Sequence, residues 1–250
     1  GKDHSAAAEI KVLPGDDPIP EYRITYAKTP EDAAEGRYEI AEPLIKEAAD
    51  SGTWYYKVTT QNYGSKEGQF EAVIARKDLE ITHDEITRAY NGEKGAEIKG
   101  SSISTGIRTA DGAMADETIS VTAVTAEYDI PDVSDARAVT ANYSLAAGAD
   151  TNLNNYSFHT ALADTADGQT GTVTLQETGK ITPANLTVTL CPQESVYDGQ
   201  AKTASSEQGT DWKTEDPIYS QDGVSDELGI VLSIPENSKN AGSYPISGTA

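Results

Sequence analysis

Short runs of alternating apolar and polar residues recur along this chain. In TWYYKVTT (53–60), Trp54, Tyr56 and Val58 fall on one face and Tyr55, Lys57 and Thr59 on the other. That period of two marks a half-buried strand. LEITH (79–83) and LTVTL (186–190) alternate likewise, and ETISVTAVTAEY (117–128) is rich in β-branched residues. GTVTLQETGKITP (171–183) predicts a further strand stopped by Pro183. The exception is the Ala/Glu-rich stretch 30–52, where Gly36 and Pro43 leave room for only one short helical turn. Many short strands bounded by Gly, Asn, Asp and Pro predict an all-β fold of sandwich or barrel type.

The chain also repeats itself. IARKDLEITHDEITRAYNG (74–92) aligns without a gap on ITPANLTVTLCPQESVYDG (181–199), at an offset of 197 − 90 = 107. Leu79 matches Leu186, Ile81 matches Val188, Tyr90 matches Tyr197 and Gly92 matches Gly199. A second phrase, DSGTWYYKVT (50–59), resembles NAGSYPISGT (240–249), pairing Gly52 with Gly242 and Trp54 with Tyr244 on an expected structural strand. Three modules are expected, at 1–77, 78–184 and 185–250. The joints ARKDL and TPANL lack Gly/Ser tracts, which predicts a semi-rigid, elongated array. By the offset 242 − 52 = 190, the counterpart of the strand holding Phe70, Ala72 and Ile74 falls near 260–264, so the last module is expected to be C-terminally incomplete.

These phrases resemble the MBG/YDG-type repeats of bacterial cell-surface and secreted proteins. The resemblance rests on the strand Leu186–Thr189, the turn Tyr197–Gly199, the strand Gly242–Tyr244 and the exit Ile181–Pro183. It extends to TANYSLAAGADTNLNNYSF (140–158) and, with Asn91 in place of Asp, to Tyr90–Gly92. The first module lacks the turn, and its assignment rests on GTWYYKV and the following Asn62-Tyr63-Gly64. The resemblance implies tandem Ig-like β-sandwich modules in a large extracellular protein, with no catalytic residue.

Composition narrows the partners. Acidic residues outnumber basic ones 41 to 19, for a net charge of −22. That balance disfavours nucleic acid and anionic membrane. A hydrophobic content of 37% argues against one large core. Cys191 is the single cysteine, so no intrachain disulfide can form, and sparse Cys and Met suit an extracellular protein. No run approaches the ~18 apolar residues of a membrane span. The polar start, with Gly1 resembling an expression scar and His4 in a segment expected to be disordered, reads as the beginning of an excised internal fragment.

Candidate chemistry is thin. Tyr197-Asp198-Gly199 and Tyr90-Asn91-Gly92 read as hairpin turns with φ > 0 at the central positions. A turn tolerates Asp/Asn exchange, whereas a general acid or base does not. Each Tyr is expected to hydrogen-bond backbone through its hydroxyl. His83 and His159 have no metal-pair spacing, and Cys191 has no neighbouring His or Lys to activate it. Asp164, Asp167, Asp222, Asp226 and Glu227 sit in loops that fail the EF-hand pattern; turn formation is preferred over an irregular Ca2+ site. No cofactor is expected. Trp54 reads as core; Trp212, in a polar loop, is the better of the two candidates for an exposed sugar platform, although a Trp capping the end of a sandwich is preferred over a platform. The expected function is a non-catalytic stalk or spacer of a bacterial surface protein, monomeric, with adhesion to a surface glycan or protein. The alternative is a carbohydrate-binding accessory region of a secreted glycan-degrading enzyme.

Overall fold

The computed structural model describes residues 4–5, 21–61, 63–103, 117–221, 224–235 and 238–249. Ten strands carry most of the architecture. In chain order they are β1 (Tyr22–Ala27), β2 (Gly52–Thr60), β3 (Lys66–Ala72), β4 (Lys77–Leu79) and β5 (Ile86–Ala89). They continue with β6 (Gly95–Ala96), β7 (Ile119–Tyr128), β8 (Ser134–Ala147), β9 (Tyr156–Phe158) and β10 (Thr170–Thr182). The fold is all-β. Its one α-helix among the described residues is the five-residue Pro30–Ala34. Pro30 presets the first turn and Thr29 caps it, accepting the Asp32 N–H at 3.1 Å.

A five-stranded sheet has the order β5-β10-β8-β7-β6. Along β8, Val139, Ala141, Tyr143 and Leu145 are all buried, and along β10 so are Val173, Leu175 and Ile181. Burial of alternate residues is the expected consequence of a pleated strand with one covered face. The contacts divide into two compact units, one within Gly1–Asp84, Ile98–Thr125 and Thr140–Gln176, the other within Glu85–Glu97, Ala126–Val139 and Glu177–Ala250.

In the first unit, β1-β2-β3 form an antiparallel sheet, with Tyr26 opposite Tyr56 and Trp54 opposite Phe70. Its core is Tyr26, Ile45 and Trp54, with Ile24, Phe70 and Ile74 against it. Tyr26 and Phe70 meet edge to face, 6.3 Å between centroids. The Trp54 indole N–H donates to the Asp50 carbonyl at 3.3 Å, and the Lys28 ammonium lies 4.3 Å over the ring. β4 pairs in parallel with β9. The Glu47 carboxylate accepts the side-chain amides of Asn152 and Asn155, and Asn155 Oδ1 accepts the Ala48 N–H at 2.8 Å.

In the second unit, β10 pairs in parallel with β5 from Gly179–Ile86 to Thr182–Ala89, and β7 pairs antiparallel with β6. The Tyr128 hydroxyl donates to the Lys180 carbonyl at 3.2 Å. Beyond Pro183 the pairing is short: Thr189–Leu190 with Trp212–Lys213, Ser220–Gln221 with Val224–Ser225, and Val231–Ser233 with Ser247–Thr249.

Three expectations need correction. The strand expected over 186–190 contracts to Thr189–Leu190, because Asp216 takes the Thr187 N–H at 2.5 Å and removes it from any ladder. Gly242 and Tyr244 lie outside any strand, next to Pro245, which has no N–H to give a ladder. By contrast Gly52 opens β2 and Trp54 is buried in it. Finally, the His4–Ser5 backbone, expected to be disordered, pairs antiparallel with Leu44–Ile45.

A two-residue hairpin lies where no turn dipeptide marks it. Phe158 and Ala161 exchange backbone hydrogen bonds of 2.7 and 2.9 Å across His159 (φ 47°) and Thr160 (φ 68°). Two consecutive positive φ values define a type I′ turn, which favours Asn-Gly over His-Thr. Asp78 offsets the strain by accepting the Thr160 N–H at 2.8 Å. Thr160→Gly keeps that bond and relieves a β-branched residue of a left-handed conformation. Thermal denaturation should therefore show a gain of about 0.5–1 kcal/mol, the strain relieved less the chain entropy that glycine adds. A loss of stability would refute the strained-turn reading.

Candidate functional site: two Asx turns

Tyr90-Asn91-Gly92 follows β5 directly, and the Tyr90 N–H donates to the Thr182 carbonyl at 2.8 Å. Asn91 Oδ1 accepts the Glu93 N–H at 3.1 Å, and Gly92 has φ +75°. The second copy does the same: Asp198 Oδ1 accepts the Gln200 N–H at 2.9 Å, and Gly199 has φ +78°. Both phrases are Asx turns, in which a side-chain oxygen stands in for a backbone acceptor two residues on. The turn type differs from the expected hairpin, since only glycine has positive φ in each. Asp/Asn exchange is explained more directly, because both side chains carry the Oδ1 the turn uses.

The surroundings of the two turns differ. Arg88 Nη1 donates to Asn91 Oδ1 and, at 3.1 Å, to the Ala89 carbonyl, while Nη2 donates to the Glu93 carbonyl. The Arg88 guanidinium stacks 5.1 Å from the Tyr128 ring. At the other copy Lys202 Nζ binds Asp198 Oδ2 at 2.6 Å. The Lys202 ammonium, then the Gln200 N–H, hold the Asp198 carboxyl below its ordinary value. Tyr90 meets Tyr219 edge to face at 5.9 Å, and its hydroxyl faces the Asp226 carboxylate. That carboxylate raises the Tyr90 phenol above its usual value. Tyr197 is 63% exposed.

The remaining candidates serve local structure. Trp212, the candidate sugar platform, is only 4% exposed, so its ring face is covered. Its indole N–H donates to the Ser206 carbonyl at 3.1 Å, and the buried Asp211 beside it accepts the Ser205 hydroxyl and the Glu207 N–H, folding the polar loop over the ring. Cys191 is half-buried, its N–H on the Asp211 carbonyl at 2.8 Å. His83 Nδ1 donates to the Asp84 carbonyl at 2.7 Å, and His159 Nε2 lies 2.9 Å from the Ile81 N–H. The His4 side chain and Asp222 lie outside the described residues. Asp164 exchanges backbone bonds with Thr172, and Asp167 Oδ1 accepts the N–H groups of Gln169 and Thr170, which lower its carboxyl. Glu227 is exposed. Among the described residues, no three of His, Cys, Asp and Glu gather as a metal site. An open concavity of about 440 Å³ is lined by residues such as Thr122, Ser144, Asp164, Thr165 and Thr172, with Asp164 its one ionisable group.

Sequence comparison identifies part of this structure. Residues 75–166 match the family model described as the YDG domain. The chain therefore contains a YDG domain, and the Tyr90–Gly92 turn lies inside it. No curated protein and no solved structure matches the chain.

Two predictions follow from this geometry. At Gly92 an added Cβ would lie 2.3 Å from the Ser220 carbonyl oxygen, whereas at Gly199 nothing is closer than the Tyr197 hydroxyl at 4.0 Å. Gly199→Ala should cost about 1–2 kcal/mol through its left-handed backbone alone. Gly92→Ala should cost more, because the Ser220 carbonyl must also move. Urea denaturation of the two variants measures this, and equal costs would show that the close approach is unimportant.

The second prediction concerns acid. The Ser157 hydroxyl, then the Thr160 N–H, hold the Asp78 carboxyl below its ordinary value. A depressed folded value means the contribution is present above the unfolded value, about 3.9, and is lost as pH falls through the folded one. The stability gap between wild type and Asp78→Asn should therefore narrow below about pH 3.9. Subtracting the two melts cancels most of the relief of the −22 net charge that acid brings to both proteins. A gap independent of pH would mean that the Asp78 charge is immaterial.

Proposed function

We propose that this chain is a non-catalytic repeat region of a bacterial surface protein, serving as a stalk or spacer built of tandem Ig-like β-sandwich modules. The observation that carries this is the recurrence, 107 residues apart, of the turn phrase of a YDG domain in one backbone geometry. A phrase that returns with its turn intact and its side-chain neighbours changed is repeated for its architecture. The conspicuous acids support the reading. Asp32, Asp50, Asp78, Asp135, Asp167 and Asp198 all have depressed pKa values. A general acid working at neutral pH needs the opposite shift. The clamp of Glu47 on Asn152 and Asn155, two side chains of the YDG domain, suits a spacer that must transmit force. In this proposal the protein works outside the cell, as a monomer and without a cofactor, and adhesion belongs to a surface glycan or protein partner.

The sugar-binding alternative loses its main residue with the burial of Trp212. A glycan array probed with the 250-residue chain tests the choice. The spacer reading expects no saturable binding. Saturable binding to a defined glycan, lost on substitution of an exposed tyrosine such as Tyr63 or Tyr197, would overturn it in favour of the alternative.

A further inference from the structure

We propose that Asn91 is a self-modifying position, at which the folded turn sheds the side-chain amide and converts Tyr-Asn-Gly to Tyr-Asp-Gly. The Gly92 nitrogen attacks Cγ of Asn91. A bond forms between them, the Gly92 amide proton passes to the departing group, and ammonia leaves a five-membered imide. Water then adds at Cγ, the new bond breaks, the proton returns to Gly92 nitrogen, and Asn91 has become aspartate. The net change is amide plus water to acid plus ammonia, with solvent water as the co-reactant.

The geometry favours each part of that step. The residue after Asn91 is glycine, so no side chain shields the attacking nitrogen. Among the described residues the Gly92 N–H donates to no acceptor, whereas the Tyr90 and Glu93 N–H groups both do. The carbonyl under attack is polarised from two directions, by Arg88 Nη1 and by the Glu93 N–H at 3.1 Å. Negative charge gathers on this oxygen in the tetrahedral intermediate, and fixed donors aimed there lower the barrier. Arg88 is a positioned donor, held by the Ala89 and Glu93 carbonyls and stacked on Tyr128.

The product also fits. The second copy already carries aspartate in the same turn, with Lys202 on the oxygen the turn leaves over. At the first copy the cation is Arg88, which already donates to the turn's own Oδ1, so the new carboxylate gains an ion pair. The competing opening of the imide, at the main-chain carbonyl, gives isoaspartate and lengthens the backbone by a methylene. There is little room for that, since even a Cβ on Gly92 would lie 2.3 Å from the Ser220 oxygen. The folded turn therefore directs the reaction to aspartate.

The test holds the native chain, and the same chain in urea, at mildly alkaline pH and maps the peptide containing residue 91 by mass spectrometry. The expected result is loss of the Asn91 amide in the native chain at a rate within about tenfold of the urea rate, a barrier difference below about 1.4 kcal/mol. Aspartate should be the main native product and isoaspartate the main product in urea. Arg88→Lys, with its fold checked by near-ultraviolet circular dichroism, should slow the native reaction but not the reaction in urea. Protection of Asn91 by more than about tenfold in the native chain, isoaspartate as the main native product, or an unchanged rate in folded Arg88→Lys would each overturn the proposal. The wild-type comparison with urea stands alone if Arg88→Lys does not fold.

Discussion

A backbone N–H that leaves a β-ladder must find another acceptor, and in this chain that acceptor is very often an aspartate or asparagine side chain. Asp50 takes the Lys46 and Glu47 N–H groups, Asp78 that of Thr160, Asp167 those of Gln169 and Thr170, and Asp198 that of Gln200. Asp211 takes Glu207 and Asp216 takes Thr187. An unpaired buried amide costs about as much as a lost hydrogen bond. An all-β chain with many turns and small cores therefore gains from a local acceptor at each turn. The surplus of 41 acids over 19 basic residues follows in part from this use. That share of the negative charge is a by-product of turn chemistry rather than a statement about partners.

The same constraint explains what could be read from the sequence. The long strands β2 and β10 were legible because alternation reports a pleated strand with one covered face, β7 through its β-branched residues, and β8 only through the family resemblance of residues 140–158. The two turn phrases were legible because Asn-Gly and Asp-Gly carry their own acceptor and their own left-handed residue. Reading failed where a distant residue decides the outcome. Alternation alone over 186–190 could not reveal that Asp216 would claim the Thr187 N–H. Trp212 was a platform candidate only because its neighbours are polar; those neighbours hydrogen-bond one another beside the buried ring, in keeping with the capping role preferred for it. The type I′ turn at His159-Thr160 has no dipeptide signal at all. It is imposed by the pairing of Phe158 with Ala161 and held by Asp78, some 80 residues earlier.

The two Asx turns separate what belongs to a phrase from what belongs to its place. The Oδ1 acceptor and the left-handed glycine are common to both, so three residues suffice to write them. The contacts around them are not. Gly92 is pressed against the Ser220 carbonyl and Tyr90 against Tyr219, whereas Gly199 and Tyr197 stand largely free. The glycine at 92 thus answers two demands, backbone conformation and close approach, and the one at 199 answers only the first.

Charge at the first position of the turn is a separate variable from shape. Asn91 and Asp198 present the same oxygen to the same N–H, so the backbone does not distinguish them. What distinguishes them is the remaining side-chain atom. At Asp198 it is an oxygen that binds Lys202; at Asn91 it is an amide nitrogen, while Arg88 shares the oxygen already used by the turn. A cation beside an amide is only partly satisfied, whereas a cation beside a carboxylate forms a charge-assisted bond, roughly twice as strong as a neutral one. The change proposed at Asn91 would therefore give Arg88 a charged partner in place of a neutral one. The turn's shape is already complete, and only its charge remains open to change.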